Sequence, residues 1–162
     1  MIIGVLSDTH DHVINIRKAI KAFNNKGVER VLHAGDFVSP FAVAPFKELN
    51  MHMDAILGNN EGELLGVEKM FMNTGHTLHP LHCELNLDGF RILMVHEPLE
   101  IDALAKSGSY DVIIYGHTHN SEIRTLESTL ILNPGEVCGW LTNNPTAATL
   151  DTDTKSAEIF SL

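Results

Sequence analysis

Five short apolar runs in this chain each stop abruptly at a side chain that can hold a metal ion. Residues 1–6 give way to Ser7-Asp8-Thr9-His10, residues 31–34 to Gly35-Asp36, and residues 53–57 to Gly58-Asn59-Asn60-Glu61. Further on, residues 91–95 end in His96, and residues 112–115 end in Gly116-His117-Thr118-His119. Apolar runs this short, rich in β-branched residues, read as buried strands. In open α/β sheets, ligands bind beyond the carboxyl ends of the strands, which is where these polar residues fall. Any fold available to this sequence has to gather strand ends scattered from Asp8 to His119.

The intervening segments supply the connections. Val13, Ile16, Ala19, Ile20 and Phe23 recur at helical spacing, with Asp11 placed to cap the helix and Gly27 to end it. Residues 41–49 read as a short helix, residues 64–72 as a weaker one, and residues 101–106 as another leading to Gly108. Asp88-Gly89 between residues 85–87 and 91–95 is a strong hairpin signal. Four strand-like segments close the chain, at residues 122–126, 129–132, 146–150 and 157–160. The βαβ units come first and antiparallel hairpins follow, which argues against a single doubly wound sheet. With 162 residues, no repeat and no low-complexity linker, residues 1–162 are expected to form one domain.

Composition narrows the function classes. The formal net charge of −10 opposes non-specific binding along a nucleic-acid backbone. Asp8 interrupts the first apolar run too early for a signal peptide or a membrane span. Cys83 and Cys138 lack the spacing of a disulfide framework or a zinc knuckle, so two reduced thiols and a cytoplasmic location are expected. The ten histidines are the compositional surplus.

Spacing gives some of them a use. In extended backbone, residues i and i+2 point the same way, so Asp8 and His10 can grip one ion together. His117 and His119 share that spacing, and in a turn their rings could diverge toward two neighbouring ions. Gly35, Gly58 and Gly116 each precede a candidate ligand, where glycine permits a sharp turn or a close backbone approach. The donors are nitrogen and oxygen without thiolate. That suits manganese, iron, cobalt, nickel or zinc better than calcium or magnesium.

In order, Asp8-Thr9-His10, Gly35-Asp36, Gly58-Asn59, His96 and Gly116-His117-Thr118-His119 resemble the motif set of calcineurin-like metallophosphoesterases. The compact length and Asn133-Pro134-Gly135-Glu136 resemble the small YfcE-like phosphodiesterase branch. The resemblance implies an α/β fold, a four-layer α-β-β-α sandwich of two mixed β-sheets with helices on the outer faces. It also implies two divalent transition-metal ions, manganese foremost. Asp8, His10, Asp36 and His119 would hold one, and Asp36, Asn59, His96 and His117 the other, with Asp36 bridging. The implied reaction is hydrolysis of a small phosphoester by water activated between the ions.

Two positions depart from the family pattern. Asn60 stands where the wider superfamily has histidine, and asparagine cannot act as a general acid near neutral pH. Poor alkoxide leaving groups should then be slow unless His12 or Glu61 assists, so diesters and activated aryl esters are favoured. Glu97-Pro98 follows His96 where glycine is common, adding a carboxylate that would either repel dianionic monoesters or shift the metal preference. Of the remaining histidines, His33 reads as a hydrogen-bonded core residue or as one that supports the ligands from behind, and not as a ligand. His52, His76, His79 and His82 read as surface or loop residues. The rival functions are a protein-interaction scaffold like the retromer subunit of similar fold, or a metal-binding regulatory domain without turnover. A nucleotide-binding domain is disfavoured because no glycine-rich phosphate loop follows the first strand. Oligomeric state is open, a homodimer included.

Overall fold

The computed structural model describes residues 1–162. Eleven strands form two sheets. The first contains β1 (Ile2–Leu6), β2 (Arg30–His33), β3 (His52–Ile56), β4 (Thr77–His79), β10 (Thr146–Asp151) and β11 (Ser156–Ser161), in the order β11-β10-β1-β2-β3-β4. The second contains β5 (His82–Leu87), β6 (Phe90–Val95), β7 (Val112–Ile114), β8 (Glu122–Leu126) and β9 (Thr129–Asn133), in the order β5-β6-β7-β9-β8. Both sheets are mixed. β1, β2, β3 and β4 run parallel, as do β6, β7 and β9, and the outer pairings β1–β10, β10–β11, β5–β6 and β8–β9 are antiparallel.

Burial on both faces explains why the parallel strands read as unbroken apolar runs. One face of β1–β3, with Ile3, Val5, Leu32 and Ile56, packs against Ile92, Met94, Val112, Ile114 and Leu132 of the second sheet. The opposite face carries α1 (Val13–Asn25), whose Ile16, Ala19, Ile20 and Phe23 lie against Leu6, Val31 and Met53. The Phe23 ring fills the space above Gly4, where a Cβ would stand 2.8 Å from it. Truncating Phe23 to alanine should cost about 3–5 kcal/mol. On the far side, α4 (Ile101–Lys106) covers Leu93, Ile113 and Ile131. The layers are helix, sheet, sheet, helix, as expected.

Three local expectations need correction. The helix expected at residues 41–49 splits into α2 (Pro40–Val43) and a 3-10 helix (Ala44–Glu48). Pro45 has no N–H to continue an α-helical ladder. His12, and not Asp11, is the N-cap of α1: its Nδ1 accepts the Asn15 N–H, while Asp11 accepts the Ser39 hydroxyl. β4 went unforeseen because three residues carry no readable period. The weak helix is α3 (Leu64–Phe71). No helix is long and apolar enough to cross a membrane.

Candidate metal centre

Parallel pairing puts the carboxyl ends of β1, β2 and β3 side by side in one sheet, and those of β6, β7 and β9 in the other. The loops beyond these ends bring together all seven residues expected to ligate metal. Five of the seven have left-handed backbone: Asp8 (φ 53°), His10 (37°), Asp36 (65°), His117 (66°) and His119 (60°). Non-glycine residues seldom adopt it, and such strain gathers at functional sites.

Two groups of donors share Asp36. On one side His10 Nε2 lies 3.4 Å from Asp36 Oδ2 and 3.8 Å from Asp8 Oδ1, and His119 Nε2 lies 3.5 Å from Asp8 Oδ1. The rings of His10 and His119 stack with centroids 5.1 Å apart. On the other side His96 Nε2 lies 3.3 Å from Asp36 Oδ1. Asn59 Oδ1 sits 2.8 Å from both His96 Nε2 and His117 Nδ1. Asp8 is fully buried, and its two oxygens accept the His117 N–H.

The donor chemistry fits metal ions. His10 Nε2 is buried and has no hydrogen-bond partner. His96 donates Nδ1–H to the Ala34 carbonyl at 2.7 Å, so a neutral ring turns an Nε2 lone pair toward oxygen atoms. Facing carboxylate oxygens, that lone pair calls for a second proton, a cation or another donor. The carboxylates make the same demand. Burial pushes the His10 and His96 imidazoles down, but Asp8 and Asp36 outweigh it and raise both above the ordinary value. Asp36 is held low in turn: burial raises it, but His96 and the Asn60 N–H prevail.

Several residues hold this arrangement in place. Glu136 accepts His119 Nδ1–H at 2.6 Å and the backbone N–H groups of Leu141 and Thr142. Burial raises the Glu136 carboxyl, but the hydrogen bonds from His119, Cys138 and Thr142 win and lower it to about 2. His33 accepts the Gly35 N–H on Nδ1 and meets Thr9 Oγ1 through Nε2, and Thr9 Oγ1 donates to the Asp36 carbonyl. Burial pushes His33 down to about 3, so it stays neutral, as its core reading requires. Gly58 and Gly116 mark close approach. A Cβ on Gly58 would stand 2.0 Å from Asp36 Oδ1, and one on Gly116 2.0 Å from Ser7 Oγ.

Glu61 is not positioned to assist chemistry. Its carboxylate accepts the backbone N–H groups of Asp36, Phe37, Val38 and Gly58, clamping two ligand loops together. His12 spends Nδ1 on the α1 cap, and its ring tilts against Trp140 at 4.8 Å. Asn60 places its amide nitrogen 3.5 Å from His10 Nδ1. Among the outer histidines, exposed His82 and His76, in the loop before β4, match the surface-or-loop expectation, whereas His52 and His79 sit half-buried on β3 and β4. His76 accepts the Met53 N–H and reaches the Phe46 carbonyl, and His52 and His79 flank the buried Asp54. Sequence reasoning gave no role to Glu136, yet the apolar run at residues 129–132 ending in Asn133-Pro134-Gly135-Glu136 repeats the pattern of the other five strand ends. A cavity of about 490 Å³ opens beside the centre, bounded by Asn59, His96, Glu97, Leu57, Leu99 and Tyr110.

Comparison with known proteins agrees with this architecture. Residues 1–155 match the calcineurin-like phosphoesterase superfamily domain. A phosphodiesterase of Methanocaldococcus jannaschii is 43% identical over 158 residues, covering 96% of this chain and 95% of the relative. A solved structure described as a novel archaeal phosphodiesterase superposes with a TM-score of 0.93 at 40% identity, over 100% of both chains. The Escherichia coli phosphoesterase YfcE shares the fold, with a TM-score of 0.72 at 18% identity over 99% of each chain. The strand-end donors, the two mixed sheets and these relatives agree, and the chain belongs to the calcineurin-like phosphoesterase superfamily.

Proposed function

We propose that this protein is a metal-dependent phosphodiesterase whose centre holds two divalent transition-metal ions, manganese foremost. Asp8, His10, Asp36 and His119 would hold one ion, and Asp36, Asn59, His96 and His117 the other. The observation that carries this reading is the buried His10 Nε2, which has no hydrogen-bond partner and faces the oxygens of Asp8 and Asp36. When bound, the ions supply the Lewis acidity that activates water and neutralises phosphoryl oxygens.

The chain's own residues do the rest. Glu136 and the Ala34 carbonyl fix which nitrogens of His119 and His96 face Asp8 and Asp36, where the ions would be held. The Asn60 amide can donate a hydrogen bond to a phosphoryl oxygen but cannot deliver a proton to a leaving group. Glu61 is committed to the backbone, and His12 accepts the Asn15 N–H on Nδ1, so neither is arranged as a protonated acid. Leaving groups that depart unprotonated are therefore favoured. Glu97, on the cavity wall, disfavours the second charge of a monoester dianion. The net charge of −10 favours a small diester over a polymer backbone. The two free thiols suit a reducing cytoplasm. The complete donor set sets this chain apart from a scaffold of the same fold. The test is hydrolysis of a chromogenic bis-aryl phosphate by chelator-stripped protein reloaded with manganese. Turnover should return with metal and be lost in His117→Ala. Fully loaded wild type that hydrolyses no phosphoester in a broad panel overturns the reading.

A further inference from the structure

A second group of metal-competent side chains lies away from this centre, where the chain crosses from one sheet to the other between β4 and β5. Asp54 (β3), His79 (β4) and Cys83 (β5) bring a carboxylate oxygen, an imidazole nitrogen and a thiol sulfur within 4.8 Å of one another. Asp54 is 3% exposed and Cys83 2%. His79 Nε2 lies 3.2 Å from Asp54 Oδ1, and His52 Nε2 lies 3.8 Å from the same oxygen. A tetrahedral zinc site needs donors about this close, since ligand bonds of about 2.0–2.3 Å set their separation. Arg30 engages the other oxygen, with Nε 2.7 Å from Asp54 Oδ2, which leaves Oδ1 turned toward His79 and His52. No hydrogen bond engages the Cys83 thiol in the structure, unlike that of Cys138, which donates to Glu136.

We propose that Asp54, His79 and Cys83 form a structural site for zinc or a similar borderline-soft divalent cation, completed by solvent or by His52, whose Nε2 meets Thr77 Oγ1 at 3.1 Å and would have to leave it. The ion would clip β3 and β4 of one sheet to β5 of the other at the only place where that edge of the first sheet continues into the second. Binding requires Cys83 to release its proton to solvent. Burial and Asp54 push that thiol up to about 11, Arg30 opposing and Glu84 adding, so the ion has to displace a firmly held proton. The resulting thiolate supplies a second negative charge beside Asp54, offsetting the cationic Arg30. The assignment does not rest on phosphoester hydrolysis and concerns residues outside the candidate metal centre.

Cobalt(II) reports a thiolate ligand through a sulfur-to-cobalt charge-transfer band in the near ultraviolet, and because Cys138 Sγ lies within 4.8 Å of the His10 and His119 donors of the candidate metal centre, each cysteine is replaced in turn. The full chain, stripped with chelator, is titrated with cobalt(II) as wild type, Cys83→Ser, Cys138→Ser and His79→Gln. The last keeps both thiols and alters a half-buried residue, so it guards against a fold lost at Cys83. The band should appear in wild type and in Cys138→Ser and vanish in Cys83→Ser. In His79→Gln it should need at least about tenfold more cobalt, the loss that removing even a residue behind a ligand brings. No band in wild type, a band surviving in Cys83→Ser, one lost in Cys138→Ser, or an unchanged titration in His79→Gln overturns the proposal.

Discussion

Glu136 accepts a hydrogen bond from His119 Nδ1 at 2.6 Å, which turns the opposite ring nitrogen toward Asp8. The carboxylate is itself held by the Leu141 and Thr142 N–H groups and the Thr142 hydroxyl, so its position is fixed from the loop after β9. A carboxylate behind a ligating histidine sets its tautomer and raises its basicity. Glu136→Gln keeps the shape and removes the charge. Metal affinity in that variant should fall by about 10–100-fold, measured by calorimetric titration of stripped protein. Equal affinities would show that His119 needs no carboxylate behind it.

Gly58 tests the close approach between the β2 and β3 loops. Its Cβ would overlap Asp36 Oδ1, and Asp36 is the residue both donor groups share. Gly58→Ala must displace that carboxylate or the Gly58 backbone. Bound metal and hydrolysis should both drop by more than about tenfold, a displacement of about 1 Å being enough for a far larger loss. Metal content by elemental analysis together with the assay decides it, and an active, fully loaded variant contradicts the packing argument.

Asn60 sits exposed at the rim, with its backbone N–H on Asp36 Oδ1, so a larger side chain has room there. Asn60→His would add an imidazole able to donate a proton to a departing alkoxide, a contribution of about 10²–10⁴-fold where such catalysis operates. The ratio of monoester to diester turnover should rise. If paired assays show the ratio unchanged, proton delivery is not what limits monoesters in this protein.

The ligands were legible because each ends a run whose hydrophobicity alone marks a buried strand, and parallel pairing then fixes where the ends go. The residues that orient them were harder to read. Glu61 acts by accepting N–H groups from Asp36, Phe37 and Val38, a role that exists only once β2 and β3 lie side by side. His12 looked available for substrate because spacing cannot say which ring nitrogen a helix cap will take. His79 looked like a surface residue because β4 is too short to announce itself, and with β4 unseen the approach to Asp54 was hidden too. Pro45, by contrast, was visible, and its missing N–H was reason enough to break the helix expected at residues 41–49.

The end of the fold opposite the metal centre carries its own pH dependence. Asp111, just before β7, accepts the Arg91 backbone N–H at 2.9 Å and the Arg91 Nε–H at 3.0 Å, with Lys155 Nζ 3.4 Å away. The Arg91 side chain is the main reason this carboxyl falls from its ordinary 3.8 to about 2, against a partial burial that would raise it. A group held low in the folded state binds fewer protons there than in the unfolded chain. Its contribution to stability is therefore complete above 3.8 and is lost as pH falls toward about 2. The pair sits where β6 and β7 begin, and those strands deliver His96 and His117 at their other ends. Other carboxylates titrate in the same window, so the measurement is a difference between proteins. Thermal midpoints of wild type and Asp111→Asn should lie apart above 3.8 and converge as the pH drops toward about 2. A constant gap across that window would mean that Asp111 contributes packing or neutral hydrogen bonding, and not charge.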